Sequence, residues 1–326
     1  MLRTQSVSKP QDIQDKKFGA ACEFAKVELA SGLLQKPARI PPKYFYNDLG
    51  SKLFEAICLL NEYYLTRVET SIYTTHAAAI AAAAGRERVL IDLGAGNCTK
   101  AALLFAALQP VQYVPVDISA EFLKNAAALL KAVYPDMLIL PVCLDFAENL
   151  NLPAQVSARR RLMFYPGSSI GNFTPLQATQ FLTRVRGECK SDGALLIGVD
   201  LVKSPMIIEA AYNDSVGVTG VFNLNVLAHT NELLGTDFLM RDWRHLAFFN
   251  AEQSRLEMHL EACRPVTVRW PTGERVFAQG ERIHTEDSYK YTQSGFVEML
   301  ETCGFGEIKC WTDKAQQFLV CYARAI

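Results

Sequence analysis

Leu90-Ile91-Asp92-Leu93-Gly94-Ala95-Gly96-Asn97-Cys98-Thr99-Lys100 is an apolar strand that ends on an acid, turns through Gly-x-Gly and opens a helix near Thr99. Glycines at 94 and 96 let the backbone pass close to a ligand where a Cβ would clash. Twenty-one residues beyond Gly96 a second apolar run ends in Asp117, and a third leads into Leu144-Asp145-Phe146. An acid at the second strand end suits ribose hydroxyls; Asp145 and Phe146 suit an adenine amine and ring face. Two ligands compete for such a loop. A nicotinamide dinucleotide wants a third glycine three positions after the second, so that its pyrophosphate can rest on the helix N-terminus. Position 99 is Thr instead. S-adenosylmethionine has no phosphate and carries a sulfonium and a carboxylate, which this loop and its strand-end acids suit better. A lone Gly-x-Gly is also an ordinary tight turn, so the argument rests on three acids in order.

Outward from the loop, apolar runs alternate with helical stretches between about residues 66 and 203. The runs are Val89–Leu93, Tyr113–Asp117, Met137–Pro141, Leu162–Tyr165 and Ala194–Val199, with helices over Lys100–Leu108, Ala120–Val133 and Pro175–Cys189. That alternation predicts an α/β fold with a doubly wound, Rossmann-like parallel sheet. After Lys203-Ser204-Pro205 the pattern loosens: residues 206 to about 236 read as helix, and 245 to 276 as strands. A helix over Ser294–Cys303 and a hairpin, Glu307–Trp311 with Gln317–Ala323, then close the first sheet. The expected organisation is a polar tail (1–20), a sheet domain (66–204 plus 291–326) and an inserted α+β lobe (21–65 plus 205–290).

Composition excludes several classes. Of 326 residues, half are hydrophobic, and the net charge is −1 with no basic run. That argues against nucleic acid, whose phosphates draw on Lys and Arg clusters. Nine cysteines are dispersed without a CxxC pair, which reads as reduced thiols in a reducing compartment rather than a disulfide frame. Five scattered histidines suggest no metal site. Met1 to Lys17 lacks the apolar core of a signal peptide, and no stretch of eighteen apolar residues exists to span a bilayer. The expectation is a cytoplasmic monomer acting on a small molecule, bound to neither nucleic acid nor membrane.

Longer segments carry a resemblance. Tyr44-Phe45-Tyr46-Asn47-Asp48-Leu49-Gly50-Ser51-Lys52-Leu53-Phe54-Glu55 and Glu62-Tyr63-Tyr64-Leu65-Thr66-Arg67 are two of them. Gly167-Ser168-Ser169-Ile170-Gly171-Asn172-Phe173, Asp200-Leu201-Val202-Lys203 and Glu209-Ala210-Ala211-Tyr212-Asn213-Asp214 follow. Ser254-Arg255-Leu256-Glu257-Met258-His259-Leu260 and Thr285-Glu286-Asp287-Ser288-Tyr289-Lys290-Tyr291-Thr292 complete the series. In this order, over about residues 40 to 320, they resemble the histidine-specific Nα-methyltransferases of ergothioneine biosynthesis. The sequence departs at Asn61 and Leu65, where that family commonly has prolines, and at Asn47, where it often has an acid.

The resemblance implies a methyltransferase sheet with a substrate lobe. It further implies three methyl transfers from S-adenosylmethionine to the α-amine of L-histidine, giving hercynine. Tyr46, Gly94, Lys100, Asp117, Asp145 and Phe146 take the place of cofactor contacts, with Gly96 beside them in the loop. Asn172 and Tyr212 take the α-amino acid end of the substrate, and Tyr46, Asn172 and Tyr212 stand at the reaction itself. Tyr63, Glu286 and Ser288 take the imidazole, with Phe54, Gly167, Ser169 and Met258 lining the pocket. No histidine is placed to accept the amine proton, which leaves water or a tyrosine hydroxyl.

The residue types suit those places. Asn172 offers donors and an acceptor; Glu286 can accept one imidazole N–H while Ser288 meets the other nitrogen. A site that hydrogen-bonds both ring nitrogens rejects apolar analogues, because its own polar groups would be stranded. Taken singly, Tyr212 and Met258 read as core, Glu286 as a solvated acid and Asn172 as a turn residue; only the ordered match reverses this. A methyltransferase for another amino acid or small amine is the alternative, and it would keep Asn172 and Tyr212 without needing Glu286.

Overall fold

The computed structural model describes residues 23–326; the expected tail at 1–20 lies outside the described residues. Helix α1 covers 23–34, and β1 is Ala38–Arg39. Then come α2 (Asp48–Ile57), α3 (Tyr64–Ala84), β2 (Val89–Leu93), α4 (Thr99–Leu108), β3 (Gln112–Asp117) and α5 (Ala120–Val133). Next are β4 (Leu138–Ile139), β5 (Val142–Cys143), β6 (Arg161–Tyr165), α6 (Pro175–Cys189), β7 (Ala194–Asp200), α7 (Pro205–Tyr212) and α8 (Val218–Leu234). The chain ends with β8 (Trp243–Asn250), β9 (Arg255–Ala262), β10 (Val266–Trp270), β11 (Gly273–Phe277), β12 (Arg282–Tyr289), α9 (Gln293–Thr302), β13 (Phe305–Thr312) and β14 (Phe318–Ala325).

The large sheet runs β13-β14-β7-β6-β2-β3-β4, with β5 also paired to β3. β2 is parallel to β3 on one side and to β6 on the other, so the strand order reverses at β2, where open α/β sheets bind ligands beyond their carboxyl ends. Every residue of β2, β6 and β7 is buried, as expected for parallel strands covered on both faces. β14 pairs antiparallel with β7, so the closing hairpin extends the sheet as predicted. Helix α6 starts on a capping box, Thr174 with Gln177, and Pro175 at its first turn.

The sequence reading and the structure differ in three places. The run Met137–Pro141 holds only β4 at Leu138–Ile139, and Pro141, which supplies no ladder donor, separates it from β5 at Val142–Cys143. The helical stretch 206–236 is two helices. The first ends at Tyr212 with Asn213 as its C-cap, and Asp214 caps the second, accepting from the backbone N–H groups of Gly217, Val218 and Thr219 at 2.7–2.9 Å. β12, in which Glu286 and Ser288 lie, has no alternating apolar pattern to announce it.

Two compact units emerge. One comprises the described residues up to Phe45, with Gly220–Leu246 and Met258–Glu286; the other comprises Tyr46–Thr219, Ala247–Glu257 and Asp287–Ile326. Segments 46–65, 205–219, 247–257 and 287–290, expected in the inserted lobe, fall instead in the unit that holds the large sheet. In the first unit, buried Asn223 ties α8 to the strands: its Nδ2 donates to the His259 carbonyl at 3.0 Å and meets His245 Nδ1 at 2.8 Å. Thr285 Oγ1 donates to Asn223 Oδ1 and to the Met258 carbonyl, fixing β12 against β9 at Met258. Two histidines distant in sequence, His259 and His284, also meet there, with ring centroids 5.0 Å apart.

Candidate active site

The glycine loop lies over the end of β3. The N–H groups of Gly94 and Ala95 donate to the Val116 carbonyl at 2.9 and 3.1 Å, and Gly94 and Gly96 take φ of +74° and +52°, where a Cβ is strained. Asp117 Oδ2 accepts the Gly96 N–H at 3.0 Å and its Oδ1 accepts the Ser119 N–H. Phe146 comes within 3.6 Å of where a Cβ on Gly94 would sit, and Asp145 Oδ1 closes its own turn on the Ala147 N–H. Ser119 Oγ donates to the Tyr46 carbonyl at 3.1 Å, and Asn97 Nδ2 to Glu55 Oε1 at 3.0 Å, which draws Tyr46 and α2 to the same loop.

Asp92 is the exceptional member. It is buried; Oδ2 accepts from Tyr113 Oη at 2.7 Å, but Oδ1 has no partner among the described residues. Burial pushes its pKa up to about 7, against the lowering effect of Tyr113 and Lys100. The folded carboxyl thus keeps its proton to about pH 7 while the unfolded one releases it near 3.8. Stability of the ligand-free protein is therefore expected to fall as pH rises through that window. Asp92→Asn, neutral throughout, should flatten this dependence and raise the melting midpoint at pH 8 by roughly 5 °C, while weakening cofactor binding. An unchanged pH profile of the melting midpoint would argue against a strained carboxyl.

Lys100 stands on the first turn of α4, and its Nζ pairs with Glu69 Oε2 at 2.6 Å. Glu69, on α3, is fully buried, and its Oε1 accepts from the Gly167 N–H at 2.8 Å and Tyr73 Oη at 3.0 Å. A Cβ on Gly167 would lie 3.2 Å from Lys100 Nζ and 3.5 Å from Ser169 Oγ. A Cβ on Gly198 of β7 would overlap Glu69 Oε1. The fold leaves room for this carboxylate and for nothing larger beside it.

A run of edge-to-face rings links Tyr46 to Phe54 (5.8 Å between centroids), Phe54 to Tyr63 (6.1 Å) and Tyr63 to Tyr212 (6.1 Å). Tyr212 Oη donates to Ser288 Oγ at 3.0 Å, and Lys290 Nζ reaches the same Oγ at 2.8 Å. Lys290 is wholly buried and paired with buried Asp200 at 2.8 Å. Burial alone would depress its pKa; Asp200 and Tyr212 outweigh it and hold the ammonium above its usual value. Asp200 also accepts from Tyr64 Oη and Lys203. Burial lowers the Lys203 pKa in spite of Asp200.

Asn172 closes the short 3-10 helix Ser169–Asn172. A Cβ on Gly171 would stand 2.9 Å from the Tyr289 carbonyl oxygen, so only glycine lets this turn approach the backbone of β12. Asn172 is half-buried, and its amide makes no hydrogen bond among the described residues.

In the second unit, then, the structure assembles Tyr46, Phe54, Tyr63, Tyr212 and Ser288 in one chain of contacts. It groups Gly94, Gly96, Asp117 and Phe146 at the loop, and Lys100, Gly167 and Ser169 around Glu69. Met258, buried on β9, and half-buried Glu286, on β12, belong to the first unit. Glu286 and Ser288 are alternate residues of one strand and leave it on the same face. Sequence reasoning gave no role to Glu69, Asp200 or Lys290, and took Asp92 only as the first of the three strand-end acids. Glu69 carried a usable signal: it sits four residues after Leu65 and four before Tyr73 on the buried stripe of α3, where a carboxylate needs partners.

Sheet order, glycine loop and strand-end acids define a methyltransferase of Rossmann-like fold. The family described as "Histidine-specific methyltransferase, SAM-dependent" matches residues 25–325. A histidine N-alpha-methyltransferase of Mycolicibacterium smegmatis is 38% identical over 305 residues, covering 92% of this chain and 94% of that one. Ergothioneine biosynthesis protein 1 of Neurospora crassa is 32% identical over 96% of this chain and 36% of its own length. A solved S-adenosylmethionine-dependent methyltransferase from Clostridium acetobutylicum is 12% identical, with a TM-score of 0.47 over 80% of this chain and 95% of that one. The chain belongs to the histidine-specific, S-adenosylmethionine-dependent methyltransferase family. No helix among the described residues is long and apolar enough to cross a membrane.

Proposed function

We propose that this protein methylates the α-amine of L-histidine, in three rounds to hercynine, the opening reaction of ergothioneine biosynthesis. The observation that carries the reading is the buried Tyr212–Ser288 hydroxyl pair standing on Lys290, one strand alternation from Glu286. Two ring nitrogens call for two polar partners, and Glu286 with Ser288 supplies a carboxylate and a hydroxyl.

The chain's residues fit S-adenosylmethionine. Gly94 and Gly96 form a cradle that side chains would fill, and the orphaned Asp92 Oδ1 calls for a donor or cation from a ligand. Tyr46, Lys100, Asp117, Asp145 and Phe146 would complete the holding set. When bound, S-adenosylmethionine supplies a methyl group already activated on a sulfonium. What remains for the protein is alignment and exclusion of water. Asn172 and Tyr212 hold the α-amino acid end, and the amine reacts in its neutral form. Between rounds its proton leaves by water or a tyrosine hydroxyl.

Glu286→Ala tests the ring assignment. The KM for histidine should rise about 10- to 100-fold, the cost of losing a charge-assisted hydrogen bond, while S-adenosylhomocysteine binding by calorimetry stays unchanged. Equal loss of both affinities would make Glu286 a structural residue.

A further inference from the structure

The closing hairpin carries two cysteines that methyl transfer does not use. Both of its strands belong to the unit that holds the large sheet, and β13 is the edge of that sheet, paired with β14 alone. Cys310 of β13 stands directly opposite Cys321 of β14 in the antiparallel register, and the two sulfurs are 3.4 Å apart. The eight described cysteines are free thiols, and among the described residues this is the one pair whose sulfurs meet.

Directly opposed residues of an antiparallel pair have Cα atoms about 4.5 to 5.5 Å apart, within the span of about 4.4 to 6.8 Å that a disulfide bridges. A bond of about 2.05 Å therefore asks the sulfurs to close while the backbone stays where it is. The two thiols differ in access. Cys321 is fully buried in the core cluster that includes Ile197, Leu300 and Leu319, whereas Cys310 is half-buried at the margin of that cluster. A reagent from solvent meets Cys310 first. The Cys321 thiol also holds the Cys310 pKa below the usual thiol value against the effect of burial, while Cys310 and burial together raise that of Cys321. Since the thiolate is the attacking form, access and acidity select the same residue. Two small apolar side chains would fill these places equally well; only two thiols can add a bond.

We propose that Cys310 and Cys321 form a thiol–disulfide exchange site for a small external disulfide, Cys310 attacking and Cys321 resolving, and that the bond formed staples the edge strand to β14. The Cys310 thiolate attacks one sulfur of the external disulfide, whose S–S bond breaks, and one small thiol departs with the proton that Cys310 gave up. Cys321 Sγ then attacks Cys310 Sγ and displaces the second small thiol, which leaves with the Cys321 proton. Two protein thiols are oxidised to one disulfide, and one external disulfide is reduced to two thiols. The new bond encloses residues 311–320, whose turn is already held by Asp313 accepting from the N–H groups of Ala315, Gln317 and Phe318. Closing that loop removes freedom from the unfolded chain and should raise the melting midpoint by roughly 4 °C.

The test treats the reduced, native full chain with oxidised glutathione, alkylates the remaining thiols and maps peptides without reduction. Trypsin cuts after Lys309, Lys314 and Arg324, so Cys310 and Cys321 fall on separate peptides and a link between them is read by mass. The linked pair should appear, the melting midpoint should rise by roughly 4 °C, and dithiothreitol should reverse both. Exposed Cys143 and Cys263 should carry glutathione instead, which shows that the reagent reached the protein. Cys321→Ala should trap Cys310 as its glutathione adduct, and Cys310→Ala should leave Cys321 unmodified. Should Cys321→Ala fail to fold, the wild-type map and Cys310→Ala decide. A wild type in which Cys310 stays a thiol or a glutathione adduct overturns the proposal. So does a link that forms only in denaturant, a link without the melting shift, or glutathione on Cys321 in folded Cys310→Ala.

Discussion

Glu69→Ala is expected to abolish measurable methyl transfer and to lower stability by about 3–5 kcal/mol. The magnitude follows from what one carboxylate holds. Its Oε1 accepts the Gly167 N–H and Tyr73 Oη, and its Oε2 pairs with Lys100. Truncation strands a buried N–H and a buried hydroxyl, each costing about 1–3 kcal/mol, and leaves an ammonium with no counter-charge. Lys100 is partly solvated, so its own loss is the smaller part. Glu69→Gln separates structure from binding: the amide keeps an acceptor for Gly167 but turns a donor toward Lys100. It should retain most of the melting midpoint and still weaken S-adenosylhomocysteine binding about 10- to 100-fold. Calorimetry and thermal melting of both variants check this; a Gln variant with unchanged affinity would remove Lys100 from the cofactor site.

Asn172→Ala is expected to raise the histidine KM about 10- to 100-fold, with S-adenosylhomocysteine binding and the melting midpoint close to wild type. The amide has no hydrogen-bond partner to lose among the described residues, so truncation costs little folding energy. The loss appears when the charged α-amino acid end arrives and finds no donor or acceptor; hydrogen bonds to charged groups are worth about 1.5–3 kcal/mol. Initial rates against histidine concentration give the answer directly. Were kcat to collapse with KM unchanged, Asn172 would act only in the transition state. A large fall in the melting midpoint would instead mark it as a turn residue.

The large sheet was legible because β2, β6 and β7 are short, mostly apolar runs buried along their whole length, and helices α5 and α6 match their expected limits. β12 was illegible for the opposite reason. His284, Thr285, Asp287 and Ser288 are buried yet polar, satisfied by partners distant in sequence, so hydropathy hides the strand. Asp214 splits a helical stretch through a cap made three to five residues on, which composition alone does not reveal.

The candidate site divides the same way. The glycine loop and Asp117 were readable because strand, turn and acid are local, and the hydrogen bond from Gly96 to Asp117 closes them. Tyr212, Ser288 and Asn172 came only from the ordered resemblance. Lys290, inside one of the quoted segments, gave no sign of its part, since a buried ammonium declares itself only through Asp200 ninety residues earlier.

The most direct measurement incubates the protein with methyl-labelled S-adenosylmethionine and each of the twenty amino acids separately. Label should pass to L-histidine alone, with mono-, di- and trimethyl products by mass. Transfer to tryptophan or tyrosine while histidine stays unlabelled would contradict the account.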